Sequence, residues 1–205
     1  IAAAQKNNKP IVTEVCIYFE YKLHRGNRTY KYNSAHFDAF KSPNYPALAE
    51  AGVNIQYNQT ALLKPSKKAL AVHTQLENDI AVLKLFPGLS KKITLSILNT
   101  AGIKAVIIET FGAGNASTEE WFIQALKTAI DKGVIIYNVT QCAEGKVIQG
   151  MYETSSQLKK IGVVSGFDIT FESAIAKLMY VLGKKIPVSK SKQLLETNLR
   201  GEISI

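Results

Sequence analysis

The sequence has 205 residues, 46% of them hydrophobic, enough for one large domain or two smaller ones with buried cores. No run approaches the roughly 18 uninterrupted apolar residues of a bilayer span, and no basic segment leads into an apolar core with small cleavage residues. Much of the net charge of +9 comes from lysine pairs (Lys67–Lys68, Lys91–Lys92, Lys159–Lys160, Lys184–Lys185) without aromatic interleaving, which argues for solvated faces and against a nucleic-acid stripe.

The opening IAAAQKNN reads as the end of an amphipathic helix entered without a cap. With Ile1 in place of Met, the sequence is expected to begin inside a longer polypeptide. Residues 13–23, TEVCIYFEYKL, are rich in β-branched and aromatic residues and predict one strand. A basic turn, RGNRTYKYN, follows at 25–33. SAHFDAF at 34–40 opens on a serine cap and predicts one or two helical turns. KSPNYPALAEAG at 41–52 predicts a short helical turn after two prolines, and VNIQYN at 53–58 an edge strand. From about Thr60 to Asn78 the chain is polar, with KPSKK at its centre, and reads as a linker.

Beyond the linker the rhythm changes. Strands are predicted at 79–88, 104–112, 134–142 and 163–170, and helices at 90–102, 117–133, within 143–162, at 171–183 and at 188–199. Continuously apolar strands alternating with helices predict an α/β, doubly wound, flavodoxin-like domain, its parallel sheet buried on both faces. Cys16 and Cys142 both sit in apolar strand-like runs and are expected to be buried, reduced thiols of a cytosolic protein. Asn27, Asn58, Asn115 and Asn138 each begin an N-x-S/T triplet, read as chance or as backbone-bonding motifs rather than glycan sites.

In a parallel sheet, ligands bind beyond the carboxyl ends of the strands. Three of those ends are polar here, ETFGAGNAST, NVTQCAEG and VVSGFDIT, and are expected on one rim. The first resembles a phosphate loop only superficially. Gly112-Ala-Gly114 lacks the third glycine of a dinucleotide fingerprint, and G-K-[ST] occurs nowhere. A helix N-terminus there could still attract a carboxylate, and Asn115 adds an amide that both donates and accepts. Equally, Asn115 could serve only the turn, in an αL conformation or as part of a helix cap.

FGAGNA at 111–116, NVTQCAEGKVIQGMYE at 138–153, GVVSGFDITFESAIAKL at 162–178 and NLRGEIS at 198–204 resemble, in collinear order, the C-terminal domain of cytosolic type I L-asparaginases. The stretch from Cys16 to Val53 is similar to the end of that family's N-terminal domain. The resemblance implies residues 1–57 as the remainder of a larger N-terminal α/β domain, 58–78 as linker and 79–205 as the C-terminal domain. It also implies a cytoplasmic hydrolase that converts L-asparagine and water to L-aspartate and ammonia through a threonine acyl-enzyme. No cofactor, metal, membrane or nucleic acid is implied. Family members self-associate as dimers or tetramers whose sites are completed across subunits.

The family's nucleophile loops, T-G-G-T and G-T-D-T, are absent, since Gly-Gly, Gly-Thr and Thr-Asp occur nowhere in the sequence. The chain alone is therefore expected to be inactive. By the same resemblance Lys31 is the catalytic lysine, and neighbouring Arg25 and Arg28 are expected to push it towards the neutral amine by like charge and desolvation. Asn115 and Tyr152 are the implied substrate-binding residues. An allosteric asparagine site seen in some members maps onto Thr29, Thr140 and Cys142, with a family arginine replaced by Glu109, so weak or absent activation is expected. Two alternatives remain beside the amidohydrolase: the related tRNA-dependent amidotransferase subunit, and a non-enzymatic amino-acid-binding domain.

Overall fold

The computed structural model describes residues 5–7, 9–66, 68–150 and 153–204. They fall into two compact units, Ile1–Val72 with Arg200–Glu202, and His73–Leu199 with Ile203–Ile205.

The regular elements of the first unit, among its described residues, are short antiparallel strands and one 3-10 turn. β1 (Gln5–Lys6) pairs with β2 (Lys9–Pro10), where the expected helix end would have run. β3 (Cys16–Phe19) and β4 (Lys22–Arg25) form a hairpin with Phe19 opposite Lys22. The single strand expected over 13–23 is thus folded back on itself. Its two turn residues, Glu20 and Tyr21, take φ of 44° and 67°, the left-handed pair that a two-residue hairpin demands. Nothing in Glu-Tyr announces such a turn, which asparagine and glycine usually fill.

Gly26–Arg28 is a single 3-10 turn leading to β5 (Tyr30–Lys31), which pairs with β6 (Phe40–Lys41). The helix expected at 34–40 does not form. Asn33 Oδ1 instead accepts from the amides of Ala35 (2.8 Å) and His36 (3.3 Å), closing a side-chain-mediated turn in competition with the helix. β7 (Ala49–Ala51) replaces the helical turn expected before Gly52, because Leu48 N–H bonds to the Leu23 carbonyl and pairing with β4 overrides the helix propensity of Ala and Leu. β8 (Ile55–Tyr57) is the expected edge strand, and the sheet runs β3-β4-β7-β8. Its small core gathers Val12, Leu23, Leu48, Ala49 and Ala61, so this unit's packing reaches into the polar stretch read as a linker.

The second unit follows the predicted alternation: β9 (Ile80–Lys84), α1 (Lys91–Leu98), β10 (Ala105–Thr110), α2 (Glu120–Asp131), β11 (Ile135–Thr140), α3 (Glu153–Ile161), β12 (Val164–Ser165), α4 (Phe171–Gly183) and α5 (Val188–Leu195). All four strands are parallel, in the order β12-β11-β10-β9. Side chains alternate between faces with the strand's period of two. Leu83, Val106, Ile108 and Ile136 pack against Leu98, Phe122, Leu126 and Leu158 of α1, α2 and α3. Ala105, Ile107, Ile135 and Tyr137 pack against Ala174, Leu178, Val181 and Leu195 of α4 and α5. The sheet is therefore covered on both faces, as the continuously apolar strands required. The strand order advances one way without a reversal, so its rim has no switch-point crevice and any site must be built by the loops. α4 starts on Thr170, whose side chain accepts from the Ser173 amide at 3.3 Å. Among the described residues no helix is long and apolar enough to cross a membrane.

Candidate active site

The carboxyl rim of the second unit's sheet is knit by polar groups that the apolar strands deliver to one end. Asn138, fully buried near the end of β11, is the hub. Its Oδ1 accepts from Thr110 Oγ1 at 2.6 Å, and its Nδ2 donates to the Gly114 carbonyl at 3.3 Å. Its own carbonyl accepts from Gly166 N–H at 2.8 Å, which brings in the turn after β12. The three polar strand ends thus meet, as their sequence led one to expect. Asn138 itself went unrecognised as a site-builder, although a lone amide inside VIIYNVT was a legible signal: a buried polar group has to be satisfied by something nearby.

The loop from Phe111 to Asn115 is closed on itself. Phe111 N–H donates to the Asn115 carbonyl (2.9 Å) and Asn115 N–H to the Phe111 carbonyl (2.8 Å). The intervening carbonyls are all taken: Gly112 by Thr140 Oγ1 (2.6 Å), Ala113 by the Ile148 amide (2.9 Å) and Gly114 by Asn138. Gly114 adopts φ of 102°, and a Cβ there would stand 2.7 Å from Val147 Cγ1, so the loop can close only around glycine. The positive φ belongs to Gly112 and Gly114, whereas Asn115 is not among the left-handed residues. Asn115 is half-buried at the loop's closing bridge. The helix that follows begins with Glu119 at its N-cap and Glu120 in its first turn, two carboxylates that complement the helix dipole and repel a phosphate.

Tyr152 lies outside the described residues. Thr140 is buried, and its hydroxyl is engaged twice, donating to Gly112 and accepting from the Cys142 amide at 3.0 Å. Cys142 is exposed, and Cys16 only partly covered, which corrects the expectation of two buried thiols. The difference is one of register. Cys142 lies two residues past β11, beyond the buried strand, and Cys16 starts an edge strand, where it packs against the first unit's core but stays partly exposed. Burial and the Glu14 carboxylate push the Cys16 thiol up to about 11. Glu109 stands 3.7 Å from Lys84 Nζ, so a local cation offsets its charge.

Lys31 and Thr29 belong to the first unit. Lys31 is exposed on β5. The arginines expected to press on it are occupied elsewhere. Arg25, 2% exposed, pairs with Glu14 and donates to the carbonyls of Ala61 (2.7 Å) and Gly201 (3.1 Å). Burial opposes its charge, but Glu14 outweighs that and holds the guanidinium above its ordinary pKa. Arg28, 1% exposed, donates to the carbonyls of Glu202 (2.7 Å) and Asn44 (2.8 Å). Tyr45 stacks on both guanidiniums, at 4.2 and 5.1 Å from its ring centre. The basic turn is a clamp on main-chain carbonyls, and Lys31 projects from the strand that it anchors. Thr29 is buried, its hydroxyl donating to the Arg25 carbonyl at 2.7 Å.

Residues 79–195 match the sequence-family model described as the glutaminase/asparaginase C-terminal domain, and residues 1–63 that described as asparaginase, N-terminal. The chain is 38% identical over 197 residues to L-asparaginase 1 of Escherichia coli K12, covering 96% of this chain and 58% of that protein. It is 40% identical over 197 residues to the 60 kDa lysophospholipase of Mus musculus, covering 95% and 35%. To a glutamyl-tRNA(Gln) amidotransferase subunit of Pyrococcus furiosus it is 32% identical over 183 residues, covering 88% and 41%. Among solved structures, L-asparaginase I of Vibrio cholerae superposes with a TM-score of 0.89 at 37% identity, over 97% of this chain and 59% of the other. The thermostable L-asparaginase of Thermococcus kodakarensis shares the fold, with a TM-score of 0.83 at 24% identity over 97% and 59%. The chain thus spans well under two thirds of each of these relatives.

Proposed function

The chain belongs to the glutaminase/asparaginase family, and from that premise we propose that it forms part of an L-asparaginase, supplying the substrate-binding rim and the lysine of the catalytic apparatus. The observation that carries this reading is the closed Phe111–Asn115 loop, whose carbonyls are all tied back and whose following helix is acidic at its start. Such a loop offers amide-scale hydrogen bonding rather than a phosphate cradle.

In the reaction, a threonine hydroxyl attacks the side-chain amide carbon of L-asparagine. The carbon–nitrogen bond breaks, ammonia leaves with the transferred proton, and water then hydrolyses the threonyl ester to release L-aspartate. Lys31 takes the proton from the nucleophile. Asn115 holds the α-amino-acid end of the substrate, and Tyr152 closes the site. The nucleophilic threonine belongs to the T-G-G-T loop and is assisted by that of G-T-D-T, and this sequence contains neither. Lys31 and Asn115 then serve one site by association of copies into dimers or tetramers, in the cytoplasm and without a cofactor.

The test is ammonia release from L-asparagine, measured for this chain alone and for the protein joined to a family segment carrying both threonine loops. No release is expected from the first and release from the second. Ammonia from the isolated chain, or none from the joined protein, overturns the reading. The amidotransferase reading has weaker support in identity, at 32% against 38%. It predicts ammonia release that depends on a partner and a charged tRNA. A plain binding domain predicts asparagine binding by this chain with no ammonia in any combination.

A further inference from the structure

Beside the Asn115 loop, between the segment joining β9 to α1 and the first turn of α2, lies a cleft of about 220 Å3. Its walls are aromatic. Phe86 comes from the β9–α1 segment, Phe111 from the end of β10, and Trp121 and Phe122 from α2, the last two edge to face with ring centres 5.7 Å apart. Phe122 and Leu85 are buried beneath it, and Phe86 is 53% exposed at its mouth. Two polar side chains, Ser117 and Glu119, share the lining, and none of the described lining residues is basic. We infer that this cleft binds a small primary ammonium ion carrying a flat apolar group.

Charge sets the sign of the ligand. The Glu119 carboxylate accepts a hydrogen bond from Trp121 Nε1, which ties the indole to the acid and leaves the other carboxylate lone pairs for a cation. A cation is drawn both to that carboxylate and to aromatic faces, most strongly to indole. An anion of the same shape meets only repulsion from Glu119. Size sets the scale. An engineered apolar cavity of about 150 Å3 takes benzene, so on the same scale this cleft takes about nine non-hydrogen atoms. A phenyl ring, a two-carbon tether and an amine make up that number. The inference stands apart from the amidohydrolase reading, because neither Lys31 nor Asn115 is among the described residues that line the cleft. It touches that reading at one place: Phe111 walls the cleft and also closes the Asn115 loop.

Trp121 is the one tryptophan in the sequence, so its emission reports on the cleft directly. The full chain is titrated with phenethylammonium chloride at constant ionic strength, and in parallel with sodium 3-phenylpropanoate, an anion of similar shape. Saturation-transfer NMR on each ligand gives a second readout that does not depend on the indole. A saturable response to the amine and none to the acid is expected. Glu119→Gln should weaken the amine at least fivefold, and Phe86→Ala, at a half-exposed wall position, at least threefold with an unchanged circular dichroism spectrum. No response to the amine, an equal response to both ions, or an amine affinity indifferent to both substitutions overturns the inference.

Discussion

Arg28 donates through Nη1 to the main-chain carbonyl of Glu202 at 2.7 Å, joining residues 174 positions apart inside the first unit. Arg25 does the same to Gly201, and Asn27 Nδ2 to the Arg200 carbonyl at 2.9 Å. Three side chains of one basic turn thus capture three successive carbonyls of a distant segment. Buried guanidiniums need such acceptors, because an uncompensated charge in the interior costs several kcal/mol.

Gly201 takes φ of 80°, and a Cβ there would collide with the Arg25 guanidinium. Gly201→Ala should therefore destabilise the protein by about 2–3 kcal/mol, from backbone strain together with displacement of a buried ion pair. Urea denaturation followed by circular dichroism reads this as a lowered midpoint. An unchanged midpoint would mean that the segment is not clamped.

Gly114→Ala strikes the other unit. Its Cβ would meet Val147 Cγ1 at 2.7 Å and Asn138 Nδ2 at 3.3 Å, at a φ that disfavours alanine. The loss should be about 1–3 kcal/mol, with the Asn138 hydrogen bond to the Gly114 carbonyl broken. On the proposed reading, asparagine binding by the protein joined to a family segment carrying both threonine loops should weaken at least tenfold. Isothermal calorimetry checks this beside the alanine variant of Gly112, where a Cβ meets nothing within 4 Å and only the backbone preference is disturbed.

The two thiols should separate in reactivity. Only the thiolate attacks an alkylating reagent, and the Cys16 pKa, raised to about 11 by burial and Glu14, leaves little thiolate at pH 8. Cys142 is exposed. Iodoacetamide at pH 8, with peptide mapping by mass, should find Cys142 modified at least tenfold faster. Equal rates would contradict the placement of both.

Burial, with Lys22 adding like charge, lowers the His24 pKa below its ordinary value of 6.5. The folded state then binds fewer protons than the unfolded state between the depressed pKa and 6.5. Stability is accordingly full above pH 6.5 and declines as the pH falls through that window. Thermal melts at pH 7.5 and 5.5 should show a drop that His24→Gln makes smaller. A drop of equal size in the variant would assign the effect to other groups.

Lys31 is exposed on a two-residue strand, so Lys31→Ala should shift stability by less than about 0.5 kcal/mol. In the protein completed with the threonine loops, ammonia release should fall at least a hundredfold. Paired denaturation and ammonia assays separate a catalytic lysine from an ordinary surface one.

The second unit was legible in the sequence almost element by element. Its strands are continuously apolar because both faces are buried, and its helices carry one apolar stripe, so periodicity alone places them. The rim was legible too, since polar residues at three strand ends have nowhere else to lie in a parallel sheet. The first unit was not. The turn at Glu20–Tyr21, the Asn33 side-chain turn and the strand at Ala49–Ala51 depend on pairing with distant chain, which no local window contains. The arginines show the same limit. Sequence marks Arg25 and Arg28 as charges beside Lys31, and only the tertiary structure turns them inward to the carbonyls of Gly201 and Glu202. Local composition determines which segments can bury both faces; long-range hydrogen bonding decides where each buried polar group finds its partner.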